Sequence, residues 1–152
     1  QTNVILIIMT KILSIFFLTI VLGKGCNGES KQDLESAIIE YVANTRGFYQ
    51  KILIQNGVVT VSRDREGNDS PTPTKLSEPD KKELLAGFQE IELDEMANLK
   101  SPTEKRFYDG AAIAYLKITY KEKTYESVHF DHGNPPVEIE RLVTKVTSYG
   151  KR

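Results

Sequence analysis

The stretch that decides the fold is GFYQKILIQNGVVTVSRD, residues 47–64. Asn56-Gly57 stands between two runs rich in β-branched residues, and both central positions of a tight hairpin turn need the positive φ that Asn and Gly tolerate. A two-residue turn here places two apolar pairs on one side of the hairpin: Ile54 with Val59, and Ile52 with Val61. That side is therefore predicted to face the core.

Before this hairpin, residues 31–45 are predicted to form an amphipathic helix. Ser30 and Asp33 have capping-box spacing. The apolar residues that follow recur at helical intervals: Leu34, Ala37, Ile38, Tyr41 and Val42.

Two further helices are predicted after the hairpin. A mobile loop over residues 63–76 leads to Ser77 and Asp80, a capping pair that begins a helix over 78–90. Asn134 is predicted to cap the last helix, which Pro135-Pro136 opens and Gly150 stops. Its apolar stripe is Ile139, Leu142, Val143 and Val146.

AAIAYLKITY and TYESVHF, residues 111–120 and 124–130, predict a second hairpin. A three-residue loop over 121–123 pairs Leu116 with Val128 and Ala114 with Phe130, which gathers the apolar residues on one face. The resulting fold class is α+β, in the order α-β-β-α-β-β-α. It consists of a four-stranded antiparallel sheet with helices packed on one face.

The N-terminal region carries an apolar run over residues 4–22, interrupted near its middle by Lys11. The run is long enough to span a membrane, but a central lysine costs about 2.5–3.5 kcal/mol on insertion. A signal peptide that starts at Met9 explains Lys11 better, as part of a short basic segment before an apolar one. The predicted division is a signal peptide over 1–25, a tether over 26–32 and one α+β domain over 33–152.

Leu22-Gly23-Lys24-Gly25-Cys26 resembles the lipobox of bacterial lipoproteins. The resemblance implies that Cys26 is lipidated and becomes the mature N-terminus, anchored in a membrane on the periplasmic or outer-membrane surface. Since Cys26 is the single cysteine of the chain, it has no internal disulfide partner. A free cysteine beside an ordinary cleavage site is the alternative.

The charge of the mature chain excludes one class of partner. Once residues 1–25 are removed, eighteen basic residues face 21 acidic ones, a net charge near −3. A nucleic-acid binder needs a basic face, so no nucleic-acid partner is expected. The sequence also contains no P-loop, dinucleotide fingerprint or CxxC motif, and no cofactor is expected.

The sharpest candidate for chemistry is SVHFDHG, residues 127–133. Ser127, His129 and Asp131 alternate along a strand, but such side chains lie about 6.6 Å apart and parallel, which does not suit a catalytic triad. His129, Asp131 and His132 are weak candidates for a metal site, with Asp109 as a further candidate ligand. We favour a simpler interpretation, in which residues 131–133 form a turn and His129 lies opposite Tyr115 on a solvated face.

The outer face of the second hairpin is a candidate binding surface. Tyrosines among short polar residues are typical of interfaces. The predicted members are Tyr115, Lys117, Thr119, Tyr125, Ser127 and His129, of which Tyr115, Lys117, Tyr125 and His129 are the candidate binding residues.

The mature part is similar to the small single-domain lipoproteins of Gram-negative bacteria. Residues 108–143, YDGAAIAYLKITYKEKTYESVHFDHGNPPVEIERLV, are similar to the C-terminal half of the emfourin protease-inhibitor family. We therefore expect a non-enzymatic, lipid-anchored binding module of the cell envelope, with a possible protein partner and protease inhibition as one form. The alternative is a small metal-dependent or hydrolytic enzyme that uses the segment from His129 to His132.

Overall fold

In the computed structural model, which describes residues 31–151, the Asn56-Gly57 turn forms as predicted. Both residues have positive φ, 52° and 71°. The turn joins strands Phe48–Gln55 and Val58–Ser62. Their register is the predicted one: Ile54 lies opposite Val59, and Ile52 lies opposite Val61.

The sheet contains seven described strands, and every pairing among them is antiparallel. In chain order they are β1 Ala37–Thr45, β2 Phe48–Gln55, β3 Val58–Ser62, β4 Thr74–Lys75, β5 Ile113–Tyr120, β6 Lys123–Glu126 and β7 Phe130–Asp131. Their order across the sheet is β4-β3-β2-β1-β5-β6, with β7 paired to the start of β5. The α+β class is confirmed, whereas the predicted count of four strands and their order are wrong.

The predicted helix over 31–45 is a strand for most of its length. Ala37, Ile39, Tyr41 and Ala43 are buried in alternation, which is the period of a strand. β1 lies at the centre of the sheet, hydrogen-bonded to β2 on one side and β5 on the other. Asp33 caps no helix, because its Oδ1 accepts from the backbone N–H of Ser36 in a turn. The apolar residues of this segment recur at intervals that fit both a helix and a strand. Because hydrogen bonding to β2 and β5 is available on both sides, the segment forms a strand.

The register of the second hairpin differs from the prediction at its turn. β5 and β6 are joined by a two-residue turn, Lys121-Glu122, with φ of 49° and 65°. Tyr120 therefore pairs with Lys123, and Ile118 with Tyr125. Further along, Ala114 pairs with Phe130 as predicted.

One extra residue between β6 and β7 reconciles these two registers. The backbone N–H of Ser127, not of Val128, donates to the carbonyl of Leu116 at 2.9 Å. Val128 turns out of the sheet, and its N–H donates to the carbonyl of Met96. The predicted pair Leu116–Val128 is therefore wrong. An irregularity of this kind, with two residues opposite one, is a β-bulge.

Two α-helices follow the predicted caps in part. α1, Glu78–Gln89, begins after Ser77, whose side chain accepts from the N–H of Asp80 as predicted. α2, Glu140–Ser148, begins later than predicted and follows a 3-10 turn over Val137–Ile139. Asn134 does not cap it, because the residue at the cap position is Ile139 and no side chain makes a capping hydrogen bond there. The other short 3-10 helices are Leu93–Asn98, Lys105–Tyr108 and Tyr149–Lys151.

The core lies between the helices and one side of the sheet, which we call the inner side. The predicted apolar stripe of α2 is buried throughout, and Leu84 and Phe88 of α1 join the same core. α1 and α2 approach closely at Gly87, where an added Cβ would lie 3.0 Å from the backbone of Leu142. None of the helices within residues 31–151 is long and apolar enough to cross a bilayer.

Candidate functional site

The side of the sheet that faces away from the core is the open side. Alternation along β5 assigns Ile113, Tyr115, Lys117 and Thr119 to it, because Ala114, Leu116 and Ile118 are buried on the inner side. The helices of the described residues contribute their buried side chains to the core on the inner side. The β5 residues of the open side stay half-buried or, at Ile113, exposed.

A stacked ring pair lies on the open side. Tyr115 and His129 have ring centroids 5.3 Å apart with an interplanar angle of 27°, as the predicted position of His129 opposite Tyr115 requires. The imidazole is more than half exposed. Burial raises the pKa of Tyr115, so its hydroxyl keeps its proton at neutral pH. Two stacked aromatic rings therefore lie together on the open side of the sheet.

A line of alternating charges crosses the same side of the sheet. Glu40 on β1 pairs with Lys51 on β2 at 3.0 Å and with Lys117 on β5 at 3.5 Å. Glu126 on β6 lies 3.8 Å from Lys117 and 3.7 Å from His129. The hydrogen bond to Glu40 raises the pKa of Lys51. Cross-strand pairing of opposite charges stabilises the sheet modestly and leaves this surface nearly neutral.

Tyr125 and Ser127 were predicted to lie on this surface, but the structure places both of them elsewhere. Tyr125 pairs with Ile118 and packs against the core, because the two-residue turn moves every β6 side chain to the opposite face. Ser127 is 5 % exposed. Its hydroxyl accepts from the N–H of Leu116 and donates to the carbonyl of Val128, which satisfies the backbone at the bulge.

Asp131 is buried and holds a loop in place. Its carboxylate accepts from the hydroxyl of Thr103 at 2.6 Å, from the N–H groups of Lys105 and Arg106 at 2.7 and 3.0 Å, and from the Arg106 guanidinium at 3.1 Å. Burial alone would raise the pKa of Asp131, but the hydrogen bonds from Thr103, Arg106 and Lys105 outweigh it and lower the pKa to about 2. The predicted turn at residues 131–133 is present, since the N–H of Asn134 donates to the carbonyl of Asp131, but the Asp131 side chain itself is buried.

This contact fixes the position of the loop relative to the sheet. Asp131 pairs directly with Ile113 in the antiparallel ladder, so both side chains point to the open side. Residues 101–110, which we call the aromatic loop, therefore cover that end of the open side. The loop carries two rings that are each 72 % exposed, Phe107 and Tyr108.

Both rings are held by neighbours within the loop. The guanidinium of Arg106, already bound to Asp131, lies 4.3 Å from the centroid of Phe107. The ring of Tyr108 lies over Gly110, where an added Cβ would come within 2.9 Å of its edge. Asp109 adopts a left-handed conformation between them, and the N–H of Gly110 donates to the carbonyl of Lys105. Two large exposed rings on a well-bonded loop are unusual for a surface without a partner.

These two rings were missed by the sequence interpretation. The one signal in the sequence is a pair of adjacent aromatic residues within a polar segment, residues 100–110. That signal does not distinguish a buried pair from an exposed one. The distinction depends on Asp131, which is more than 20 residues away along the chain.

On the inner side, His132 lies at the wall of a cleft. Its Nδ1 is 2.7 Å from the hydroxyl of the buried Tyr41, and its ring lies 5.5 Å from that of Phe48. Burial raises the pKa of Tyr41, so the hydroxyl keeps its proton at neutral pH. Burial, with a smaller effect from Lys151, lowers the pKa of His132. In the tautomer in which Nδ1 accepts from the Tyr41 hydroxyl, the neutral imidazole carries its proton on Nε2.

The candidate residues for metal or triad chemistry are held apart. His129 is on the open side, Asp131 is bound to the aromatic loop, and His132 turns to the inner side. Within residues 31–151 no three His, Cys, Asp or Glu side chains form a group that could hold a metal ion. Cys26 lies outside the described residues.

Comparisons with known proteins add no further assignment: no family model matches the chain, and neither a curated protein nor a solved structure matches it.

Proposed function

We propose that this protein is a lipid-anchored, non-enzymatic protein-binding module of the cell envelope, which binds its partner through the open side of the sheet. The observation that carries the proposal is the aromatic loop: two rings, each 72 % exposed, on a backbone clamped by a buried carboxylate. Exposed aromatic residues in a fixed conformation lose little entropy on binding and are typical interface anchors.

The charges around the site support a protein partner. The line of charges from Lys51 to Glu126 alternates in sign, and Glu104 and Asp109 flank Lys105 and Arg106 in the aromatic loop. Binding to an anionic membrane surface or to a nucleic acid would require more basic than acidic side chains on this side of the sheet, and no such excess is present. A protein with apolar pockets for two rings and a mixed polar rim fits this surface.

The place where the N-terminal segment leads into the folded domain supports the same function. Residues 32 and 33 join the domain at the end of β5 that holds Tyr120: the N–H of Asp33 donates to the Tyr120 hydroxyl. The aromatic loop lies at the other end of that strand, beside Ile113. Seven residues of strand separate these ends by about 24 Å. The aromatic loop and the point where the chain enters the domain therefore lie at opposite ends of β5.

The lipid anchor is tested at Cys26. Cys26→Ala should release the protein from membranes and abolish incorporation of labelled palmitate, because the thiol is the proposed attachment point. A matched Ser30→Ala variant should stay in the membrane fraction. Continued membrane retention of Cys26→Ala with the leader uncut would support a transmembrane segment instead.

Partner binding is tested with a double variant of the open side. Wild type, Phe107→Ala/Tyr115→Ala and the control Lys82→Ala on the exposed face of α1 are each used to recover partners from envelope extract. The recovered protein is then purified, and its affinity for each variant is measured. Loss of two anchors should weaken binding by about 30-fold or more, while the control should leave it unchanged. Equal affinities for wild type and the double variant would refute binding through the open side.

Protease inhibition is one specific form of this function. The similarity of residues 108–143 to the emfourin family supports it, and a clamped exposed loop suits insertion into an enzyme cleft. Hydrolysis of casein by a panel of secreted proteases, with and without the full chain, tests this form. Inhibition that Phe107→Ala removes would support it.

A further inference from the structure

We propose that the cleft beside His132 binds a small amphipathic carboxylate, at a site separate from the open side. The cleft encloses about 400 Å³. Its walls come from the start of β2, the turn that leaves β7, α2 and the C-terminal 3-10 turn. The residues that carry the argument are Phe48, His132, Pro135, Val143, Thr147 and Lys151. A volume of this size suits a small organic ligand.

One end of the cleft offers donors and positive charge. The Tyr41 hydroxyl lies 2.7 Å from Nδ1 of His132, and in the tautomer in which Nδ1 accepts from it the Nε2–H group can donate to a ligand. Lys151, an exposed lysine on the same lining, adds an ammonium group close enough to act on the imidazole. A carboxylate would accept from Nε2–H and face the ammonium, a charge-assisted arrangement that a neutral ligand lacks.

The remaining wall is apolar and held in a fixed shape. Phe48, Pro135 and Val143 line it, and Phe48 is 37 % exposed although it lies 5.5 Å from the His132 ring. The floor is set by Gln50, whose amide donates to the carbonyl of Gly150. Gly150 packs directly against that amide, because an added Cβ there would overlap the end of the Gln50 side chain.

The apolar wall and the positively charged end of the cleft together indicate the class of ligand. An apolar wall alone would accept a neutral hydrocarbon, and the Lys151 end alone would accept any small anion. A ring or short chain that ends in a carboxylate satisfies both ends at once. Phenylacetate carries both parts, phenethyl alcohol has the ring without the charge, and acetate has the charge without the ring.

The test uses the full chain in lipid nanodiscs with methyl-labelled valine, because Val143 lines the cleft and Val59 lies elsewhere in the core. Phenylacetate should shift the Val143 methyl signals in a saturable way, with a dissociation constant on the order of 1 mM for so small a ligand. Val59 should not shift. Phenethyl alcohol and acetate should each bind more weakly than phenylacetate.

Lys151→Gln removes the ammonium group from an exposed position and should not disturb folding. It should weaken phenylacetate binding by about threefold to fivefold, the contribution of an exposed ion pair, whereas Lys82→Gln should have no effect. Absence of saturation, equal binding of phenethyl alcohol, or equal affinities for Lys151→Gln and wild type would each overturn the proposal. These outcomes are independent of partner binding by the open side.

Discussion

Removal of the Asp131 carboxylate should be among the most damaging single changes in the described part of the chain. Asp131 has no exposed surface and accepts hydrogen bonds from four donors, one of them the guanidinium of Arg106, whose side chain is 9 % exposed. Asp131→Ala leaves that cation buried without its counter-ion, which typically costs about 3–5 kcal/mol. Because a small domain has about 5–15 kcal/mol of stability in total, the loss is large.

Urea denaturation followed by far-ultraviolet circular dichroism measures this loss. Glu104→Ala is the matched control, since it removes an exposed acid from the same loop, and it should change the free energy of unfolding by less than about 0.5 kcal/mol. A change below about 1 kcal/mol in Asp131→Ala would refute the clamp, since a buried cation cannot lose its counter-ion so cheaply.

The pH dependence of the unfolding free energy provides a second test of the role of Asp131. The pKa of Asp131 is lowered from 3.8 to about 2 in the folded protein. A lowered carboxyl pKa contributes stability that is fully present above the unfolded value and is lost as the pH falls through the folded value. Asp131→Asn has no such group, so its deficit relative to wild type should shrink between about pH 4 and pH 2. A deficit that stays constant over this interval would contradict the assigned charge state.

The remaining predictions concern the core, the Tyr41 contact and the helix interface. Ile52→Ala and Leu116→Ala should each destabilise the domain by about 2–5 kcal/mol in urea denaturation, because both residues are fully buried on the inner side; near-neutral effects at both would mean that the faces are inverted. His132→Ala should cost about 1–3 kcal/mol because it leaves the Tyr41 hydroxyl buried without its hydrogen-bond partner. The same change in a Tyr41→Phe background should cost less, and equal costs would argue against the hydrogen bond. Gly87→Ala should destabilise by about 1–3 kcal/mol despite the better helix propensity of alanine, since its Cβ meets the facing helix backbone at 3.0 Å; a gain in melting temperature would refute close packing there.

The parts of the fold that were predictable are those with a local physical cause. The Asn56-Gly57 turn needs positive φ at two positions, and this requirement is written in two adjacent residues. Ser77 caps α1 through a hydrogen bond three residues away. The buried stripe of α2 follows from its own periodicity, whatever it packs against.

The parts that were not predictable depend on distant residues. Residues 37–45 are apolar at both helical and strand intervals, and only their pairing with β2 and β5 decides between the two. The Lys121-Glu122 turn places two non-glycine residues at positive φ, which composition does not indicate. The bulge at Ser127 then restores the register that the turn had shifted.

The same distinction applies to the candidate site. Alternation along β5 correctly assigned Tyr115, Lys117 and the neighbouring His129 to one face. Tyr125 was misassigned because its face depends on the turn length. The aromatic loop could not be placed from the sequence, since its position depends on hydrogen bonds to a carboxylate on a later strand.

Site-specific photo-crosslinking in living cells tests the central claim most directly. A photoreactive phenylalanine analogue is placed at Phe107 or Tyr115 on the open side, or at Lys82 on the opposite side of the molecule, in the full chain. Binding through the open side predicts that positions 107 and 115 give adducts with the same protein and that position 82 gives none with it. An adduct with that protein from position 82, or no adduct from either open-side position, would contradict the account.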